Sequence, residues 1–198
     1  PLEQGVAVGC PVALQLDVVD PVDAYAELMQ RLFDFPAIRA MLNNGRRLHF
    51  DALNAVTGPY AKRLLCEELG AAPDSLAHTQ PLEDFGGLHP DPNPADAPHL
   101  LELAMSDVSP DLIAASDGDG DRNMILGPGL MVSPGDSLAI LLEHCRLVPG
   151  YADGVPGVAR SMPPSRAVDA VAAAHNIPCY ETPTGWRFFS NLLTADKI

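Results

Sequence analysis

The stretch Asp117-Gly118-Asp119-Gly120-Asp121-Arg122 decides the reading of this chain. Three carboxylates alternate with two glycines, and an arginine closes the run. Ahead of it stands Asp111-Leu112-Ile113-Ala114-Ala115-Ser116, and behind it Asn123-Met124-Ile125-Leu126-Gly127. Both flanks have the length and apolar content of short buried strands, so the acidic run is expected to form a tight loop between them. Three like charges within about 10 Å repel one another by several kcal/mol unless something positive stands among them. A hard divalent cation is the simplest relief: Mg²⁺, or Mn²⁺, suits three carboxylates with positions left open for a substrate oxygen. Arg122, fixed beside such an ion, implies an anionic ligand, most simply a phosphate.

Two other readings of the loop are weaker. An EF-hand also opens on alternating aspartates, but it needs Gly at the sixth position and Glu at the twelfth. Here those positions hold Arg122 and Pro128, and no helix-loop-helix pattern surrounds them. A solvated acidic turn would require neither the glycine spacing nor apolar strands on both sides.

Working outward, 198 residues suffice for one large domain, or one and a fraction. Hydrophobic residues make up 47%, enough for a core, yet no apolar run approaches a membrane span. The net charge of −14 argues against nucleic acid, whose phosphates demand a positive surface. Cys10, Cys66, Cys145 and Cys179 are far apart, form no metal or redox spacing, and read as buried thiols of a reducing compartment. The start, Pro1-Leu2-Glu3-Gln4-Gly5, lacks the basic region of a secretory leader. A first residue of proline reads as an excerpt of a longer product, and the cytoplasm is the expected compartment.

The pattern alternates helix and strand, as in a layered α/β domain. Asp20-Pro21 supplies an N-cap and a first-turn proline, followed by Tyr25, Leu28, Met29, Leu32 and Phe33 at helical spacing. A short helix is expected from Pro36 to near Gly45, a strand over 47–51, and a helix from Gly58-Pro59 through Leu69, ended by Gly70. Residues 81–94 form a proline- and glycine-rich loop, and 99–105 a helix. After the acidic hairpin comes a helix over about 134–145, read as closing the first unit. Asp23, Glu27, Glu67 and Glu68 read as a solvated acidic face, and His89 as a loop histidine bonded to backbone. The break falls at 149–156, within a glycine- and proline-bearing stretch. Beyond it, 157–198 carries strand, helix, strand and helix, too few elements to cover a core of their own. Val168, Val171, Phe188, Phe189 and Leu192 are expected on a face left partly bare.

Three blocks then carry a resemblance: Asp84-Phe85-Gly86-Gly87-Leu88-His89-Pro90-Asp91-Pro92-Asn93, the 117–127 loop and strand, and Glu181-Thr182-Pro183-Thr184-Gly185-Trp186-Arg187-Phe188-Phe189-Ser190-Asn191-Leu192. Shorter support comes from Cys66-Glu67-Glu68-Leu69-Gly70, Val132-Ser133-Pro134-Gly135-Asp136-Ser137 and Ala159-Arg160-Ser161-Met162-Pro163. In order and spacing they resemble the phosphoglucomutases of the α-D-phosphohexomutase superfamily, from about Val18 to the last residue. That family has four domains around one cleft, bearing in turn a phosphoserine, a metal loop, a sugar-selecting loop and a phosphate-binding loop. The resemblance implies an α/β/α domain of the second type with a mixed sheet over 17–148, a linker at 149–156, and part of a third-type α/β domain over 157–198. Residues 1–16, poorly matched, would be the tail of the preceding domain.

By the same resemblance Asp117, Asp119 and Asp121 hold Mg²⁺, Arg122 steers the phosphoryl group, and Thr184, Gly185 and Trp186 contact the sugar phosphate. A helix start at the last three also suits an anion. The implied reaction interconverts glucose 1-phosphate and glucose 6-phosphate through a phosphoserine, with glucose 1,6-bisphosphate as intermediate and activator. Its partners would be the hexose phosphate and the remainder of the same polypeptide, with neither nucleic acid nor membrane.

Departures are specific. The phosphoserine loop is absent from these residues. Ala174-His175-Asn176-Ile177-Pro178 imitates it only superficially, with alanine in the serine's place. Arg187 stands where the family has lysine, and the third domain's glutamate–serine sugar loop is not among these residues. These 198 residues alone are therefore expected to be inactive. The alternative reading is a divergent, non-enzymatic relative serving as a metal-binding or interaction module. A haloacid-dehalogenase-type phosphatase fits less well, since its Asp-x-Asp motif is followed by Thr or Val rather than by Gly-Asp-Arg. Alanine at any of the three loop aspartates is expected to abolish metal binding without unfolding a loop that lies outside the core.

Overall fold

The computed structural model describes residues 17–198; the 1–16 tail lies outside the described residues. Strand β1 (Leu48–Asp51) pairs in parallel with β2 (Leu76–Ala77) on one side and with β3 (Leu112–Ser116) on the other. β4 (Asn123–Gly127) returns antiparallel to β3, and β5 (Leu130–Met131) antiparallel to β4. The order β2-β1-β3-β4-β5 is thus a mixed sheet, parallel in one half and antiparallel in the other.

Strand alternation sends His49 and Asp51, Ile113 and Ala115, and Met124 and Leu126 to one face through the register His49↔Ile113↔Leu126. Helix α4 (Pro98–Ala104) covers that face, and Ala97, Leu100 and Ala104 bury there against Ile113, Ala115, Met124 and Leu126. On the other face, Phe50 and Ser116 look toward α1 (Pro21–Leu32), α3 (Gly58–Ala61) and its π-helical continuation Lys62–Glu68. Helices on both faces make the α/β/α layering that the resemblance implies.

Local chemistry explains most element ends. Asp20 accepts from the Val22 N–H ahead of Pro21, and Asp34 accepts from the Ala37 N–H to open α2 (Phe35–Asn43). The helix expected to run unbroken from Gly58 to Leu69 instead widens into π-turns, with the Leu69 N–H bonded to the Leu64 carbonyl five residues back. Its wider last turn delivers Leu69 and Ala71 to the core. The acidic face is not simply solvated. Arg63 pairs with Asp23, Glu67 and Glu68, and Arg39 reaches both the Glu68 carboxylate and its backbone carbonyl. Among the described residues the thiols of Cys66, Cys145 and Cys179 are free, but none is buried: Cys179 opens a strand at the surface and the other two are half-covered. No described helix is long and apolar enough to cross a membrane.

The second group of elements comprises α5 (Pro134–His144), β6 (Val158–Ser161), α6 (Ala167–His175), β7 (Cys179–Thr182) and α7 (Trp186–Thr194). β6 and β7 form a parallel pair. α5 packs differently from the sequence expectation. Its Ala139 and Leu142 bury against Val158, Val168 and Ala172, so the helix belongs with the second unit rather than closing the first. A Cβ on Gly135 would stand 2.6 Å from the Ser165 backbone nitrogen, which shows how closely α5 approaches the lead into α6. Within the stretch expected to form a linker, 149–156, Pro149–Tyr151 is a short 3₁₀ turn, and another, Cys145–Leu147, precedes it. The break in packing lies ahead of α5, because an amphipathic helix joins whichever core fills its apolar side.

Of the five side chains expected on a bare face, Val168 is fully buried between α5 and β6. Val171, Phe188, Phe189 and Leu192 are half-covered, and α7 has no buried residue at all. Asn176, in the left-handed region at φ 57°, stops α6, so the 174–178 imitation of a phosphoserine loop is a helix stop followed by a strand.

A buried cation ties this unit together. Arg160 on β6 is 5% exposed and holds the Asp169 carboxylate with two bonds, 2.6 and 2.8 Å, and Glu181 with one at 2.7 Å. The Arg160 and Arg166 guanidinium groups hold the Asp169 carboxyl far below the usual carboxylate range. A depressed folded-state pKa gives stability that is complete above the unfolded value, about pH 4, and drains away as pH falls through the folded one. We therefore expect the stability difference between the native chain and Asp169→Asn to be largest near pH 6 and to shrink steadily toward pH 2. Urea melts at a series of pH values measure it; a difference constant with pH would show that the pair contributes by packing alone.

Candidate metal centre

The β3–β4 hairpin builds the loop. Ser116 and Asn123 are register partners, and the Asp117 N–H closes the loop on the Arg122 carbonyl at 3.2 Å. Asp117 is 2% exposed. Its Oδ1 accepts from the backbone N–H groups of Gly120 and Arg122, each at 3.0 Å, and its Oδ2 from the Arg122 Nε at 3.0 Å. Burial alone would push the Asp117 carboxyl up. The Arg122 N–H and guanidinium outweigh that and hold it below its ordinary value. Asp119 and Asp121 stand at the surface, and each of the three aspartates offers one carboxylate oxygen within 4.8 Å of the others. The Asp121 carboxyl is raised, first by the charge of Asp119, then by burial and by Asp117. An all-oxygen set this close and this mutually repelling matches the donor chemistry of Mg²⁺ or Mn²⁺.

The two glycines have unequal reasons. Gly120 has φ +82°, and a Cβ there would meet the Thr57 methyl at 2.7 Å. Gly118 only touches the Phe85 ring and Pro90 at 3.7 Å or more, ordinary contact that a Cβ could share. Beneath the loop Thr57 and Ser116 bond hydroxyl to hydroxyl at 2.6 Å. A cleft of about 510 Å³ opens beside it, lined by Tyr25, Phe50, Tyr60, Leu64, Asp119 and Gly120 among others. Tyr25 and Tyr60 meet edge to face there at 5.2 Å.

Arg122 is gripped from a second side, by Asp91 at 3.2 Å. Sequence reading singled out the block around Asp91 but not this bond, which only the fold brings about. His89 lies 3.4 Å from the Asp96 carboxylate instead of bonding to backbone. Thr184, Gly185 and Trp186 stand on the other unit, all exposed, with Trp186 at 78%. Gly185, at φ 132°, caps α7, and no side-chain cap occupies the first-turn N–H groups. Arg187 lays its guanidinium over the Phe188 ring at 5.2 Å. Among the described residues no hydrogen bond or ion pair joins this turn to the 117–122 loop.

An α/β/α unit with a carboxylate-rich hairpin, followed by a smaller α/β unit, is the arrangement of the phosphohexomutases. Residues 23–129 match the family model of the phosphoglucomutase/phosphomannomutase α/β/α domain II, and residues 134–198 that of α/β/α domain III. The chain belongs to the phosphoglucomutase/phosphomannomutase family. It is 53% identical to the phosphoglucomutase of Rhizobium radiobacter over 185 residues, which is 93% of this chain and 34% of that protein. It is 50% identical to human phosphoglucomutase-1 over 187 residues, 92% of this chain and 33% of that protein. The crystal structure of Paramecium parafusin, a phosphoglucomutase in an open form, superposes with a TM-score of 0.85 at 46% identity, over 90% of this chain and 32% of that one. The chain thus spans about a third of the length of the curated relatives it matches. The gap between the two matched segments, 130–133, coincides with the break in packing ahead of α5.

The loop geometry separates its residues experimentally. Asp117→Ala strips the acceptor from three N–H groups and should lower stability by about 1–3 kcal/mol, unlike the harmless loss expected from sequence. Asp119→Ala and Asp121→Ala should leave the melting temperature unchanged. Gly120→Ala, forced into a left-handed conformation against Thr57, should cost about 1–2 kcal/mol, and Gly118→Ala less than about 0.5. Thermal melts of the five variants test this, and equal behaviour of the two glycines would refute the assigned difference.

Proposed function

We propose that this chain is the metal-holding and sugar-phosphate-contacting part of a phosphoglucomutase, interconverting glucose 1-phosphate and glucose 6-phosphate by way of a phosphoserine and glucose 1,6-bisphosphate. The observation that carries the reading is the convergence of the Asp117, Asp119 and Asp121 carboxylates beside Arg122. Family membership supports the reaction class, and the 53% identity to a phosphoglucomutase supports glucose over other hexose phosphates. Mg²⁺ bound at this loop would supply electrostatic relief to the phosphoryl oxygens during transfer.

The chain's own residues have separable tasks in this reading. Asp117, locked by amide hydrogen bonds and Arg122, fixes the loop's shape, so that Asp119 and Asp121 are free to turn outward as exchangeable ligands. Arg122, held by Asp117 and Asp91 yet 63% exposed, presents its remaining N–H groups to a phosphate. The α7 start at Thr184, Gly185 and Trp186 offers backbone donors and the positive end of a helix to the other phosphate of the sugar. Both phosphates of a bisphosphate would then have their own anchors. A cytoplasmic location belongs to the same proposal.

Calorimetric titration with Mg²⁺ should show one equivalent bound, lost when Asp119 and Asp121 are both changed to Asn while the far-ultraviolet circular dichroism stays unaltered. Binding that survives the double substitution would overturn the metal assignment. A coupled assay of the 198 residues alone, with Mg²⁺ and bisphosphate, should show no turnover, because no nucleophile loop of the phosphoserine type is among them. Turnover above a chelated control would point to a different nucleophile.

A further inference from the structure

A second cluster lies on the α4 face of the sheet, at the end of β1 beside the strand that leads into the loop. Asp51 ends β1 and is 0% exposed. Its Oδ1 accepts from the Leu53 N–H at 2.8 Å, an anchor for the left-handed turn at Leu53 and Asn54 (φ 50° and 54°). Its Oδ2 faces two imidazole nitrogens: Nδ1 of His78 at 2.9 Å and Nε2 of His99 at 2.8 Å. The two rings stand nearly perpendicular, 82° apart, with centroids 5.8 Å from each other. Each of the three residues offers one ligand atom within 4.8 Å of the others.

We propose that Asp51, His78 and His99 form a site for a borderline divalent cation, zinc before others, separate from the carboxylate loop. The donor set is two imidazoles and one carboxylate, which suits Zn²⁺ and its transition-metal neighbours and is a poor match for Mg²⁺ or Ca²⁺. Two ligand atoms each about 2.1 Å from one tetrahedral ion stand about 3.4 Å apart. The two nitrogen–oxygen separations at Asp51 Oδ2, 2.9 and 2.8 Å, are those of hydrogen bonds, so an entering ion would replace the shared protons and open each by about half an ångström.

The fold also holds the ligands from three independent places: the end of β1, the residue after β2, and the first turn of α4. His78 is held in the left-handed region at φ 47°, its carbonyl bonded to the Asn54 N–H, a strained backbone that aims the ring at Asp51. The buried carboxylate fixes one side of the site, while both histidine side chains are about 40% exposed and leave the other side open to an arriving ion and its water. His49 lies on the same strand face, close enough to Asp51, His78 and His99 to feel their charges. With Asp51 in register with Ala115, two strand ends side by side would carry metals of opposite preference, oxygen-seeking on one and nitrogen-seeking on the other.

The test is Zn²⁺ titration of the 198-residue chain with Mg²⁺ saturating. We expect one equivalent of Zn²⁺, retained in Asp119→Asn/Asp121→Asn and in a variant with all four cysteines, Cys10, Cys66, Cys145 and Cys179, changed to Ser. His78→Gln/His99→Gln should weaken it by more than the roughly 10–100-fold that follows loss of an outer-shell partner. Zinc-edge X-ray absorption of the native chain, which needs no variant to fold, should show scattering from two imidazoles. A native chain that takes up no Zn²⁺, a spectrum without imidazole, or a histidine variant that binds as tightly as the native chain would each overturn the proposal and leave a cluster held by protons alone.

Discussion

Two carboxylates are taken fully out of water at the same end of one sheet, and the architecture around them answers that cost. Asp51 and Asp117 end neighbouring strands that run in parallel, so both acids emerge at the carboxyl end where connecting loops must gather. An unpartnered buried carboxylate would be untenable. Each is therefore saturated by donors its own surroundings supply: amides and a guanidinium for Asp117, an amide and two imidazoles for Asp51. The loops are shaped by this need. The 117–122 loop wraps its N–H groups around Asp117, and the Leu53–Asn54 turn folds left-handed over Asp51.

The division of labour within the acidic loop follows from the same constraint. Asp117 is saturated by its own loop while Asp119 and Asp121 stand at the surface, although the sequence shows three equivalent letters. Arg122 is shared in the same fashion. Its Nε completes the saturation of Asp117, and a second arm takes Asp91. A residue held from two sides is pre-organised, which in the proposed phosphate-binding role would lower the entropy lost on binding.

Much of this was legible in the sequence, for identifiable reasons. The acidic hairpin was readable because its signal is local: alternating carboxylates and glycines between two apolar runs. The helix starts at Pro21, Gly58 and Pro134 were readable because caps and first-turn prolines act within a few residues. The division between units was misplaced because glycine and proline mark turns without saying which core a helix joins, and α5 is assigned only by where Ala139 and Leu142 bury. The Asp51 cluster was invisible for another reason. Its histidines lie 27 and 48 residues along the chain from the carboxylate, and only the β1–β2 pairing and the seating of α4 bring them together. The Arg160–Asp169–Glu181 cluster escaped notice likewise, since charge on a short strand reads as surface until the helix above it is placed.

The π-helical stretch Lys62–Glu68 bears on how this protein can change over generations. A π-turn stores one more residue than an α-turn closing the same gap, so an insertion is absorbed as a local swelling instead of being passed along as a rotation of about 100°. Tyr60 on one side still meets Tyr25, and Leu69 and Ala71 on the other still reach the core. The helix can therefore lengthen or shorten by a single residue without altering what its two ends touch. That freedom lies beside the cleft under the carboxylate loop, where Leu64 and Leu65 line the wall. The wall of the cleft can be reshaped there while the strands that carry the acids stay fixed.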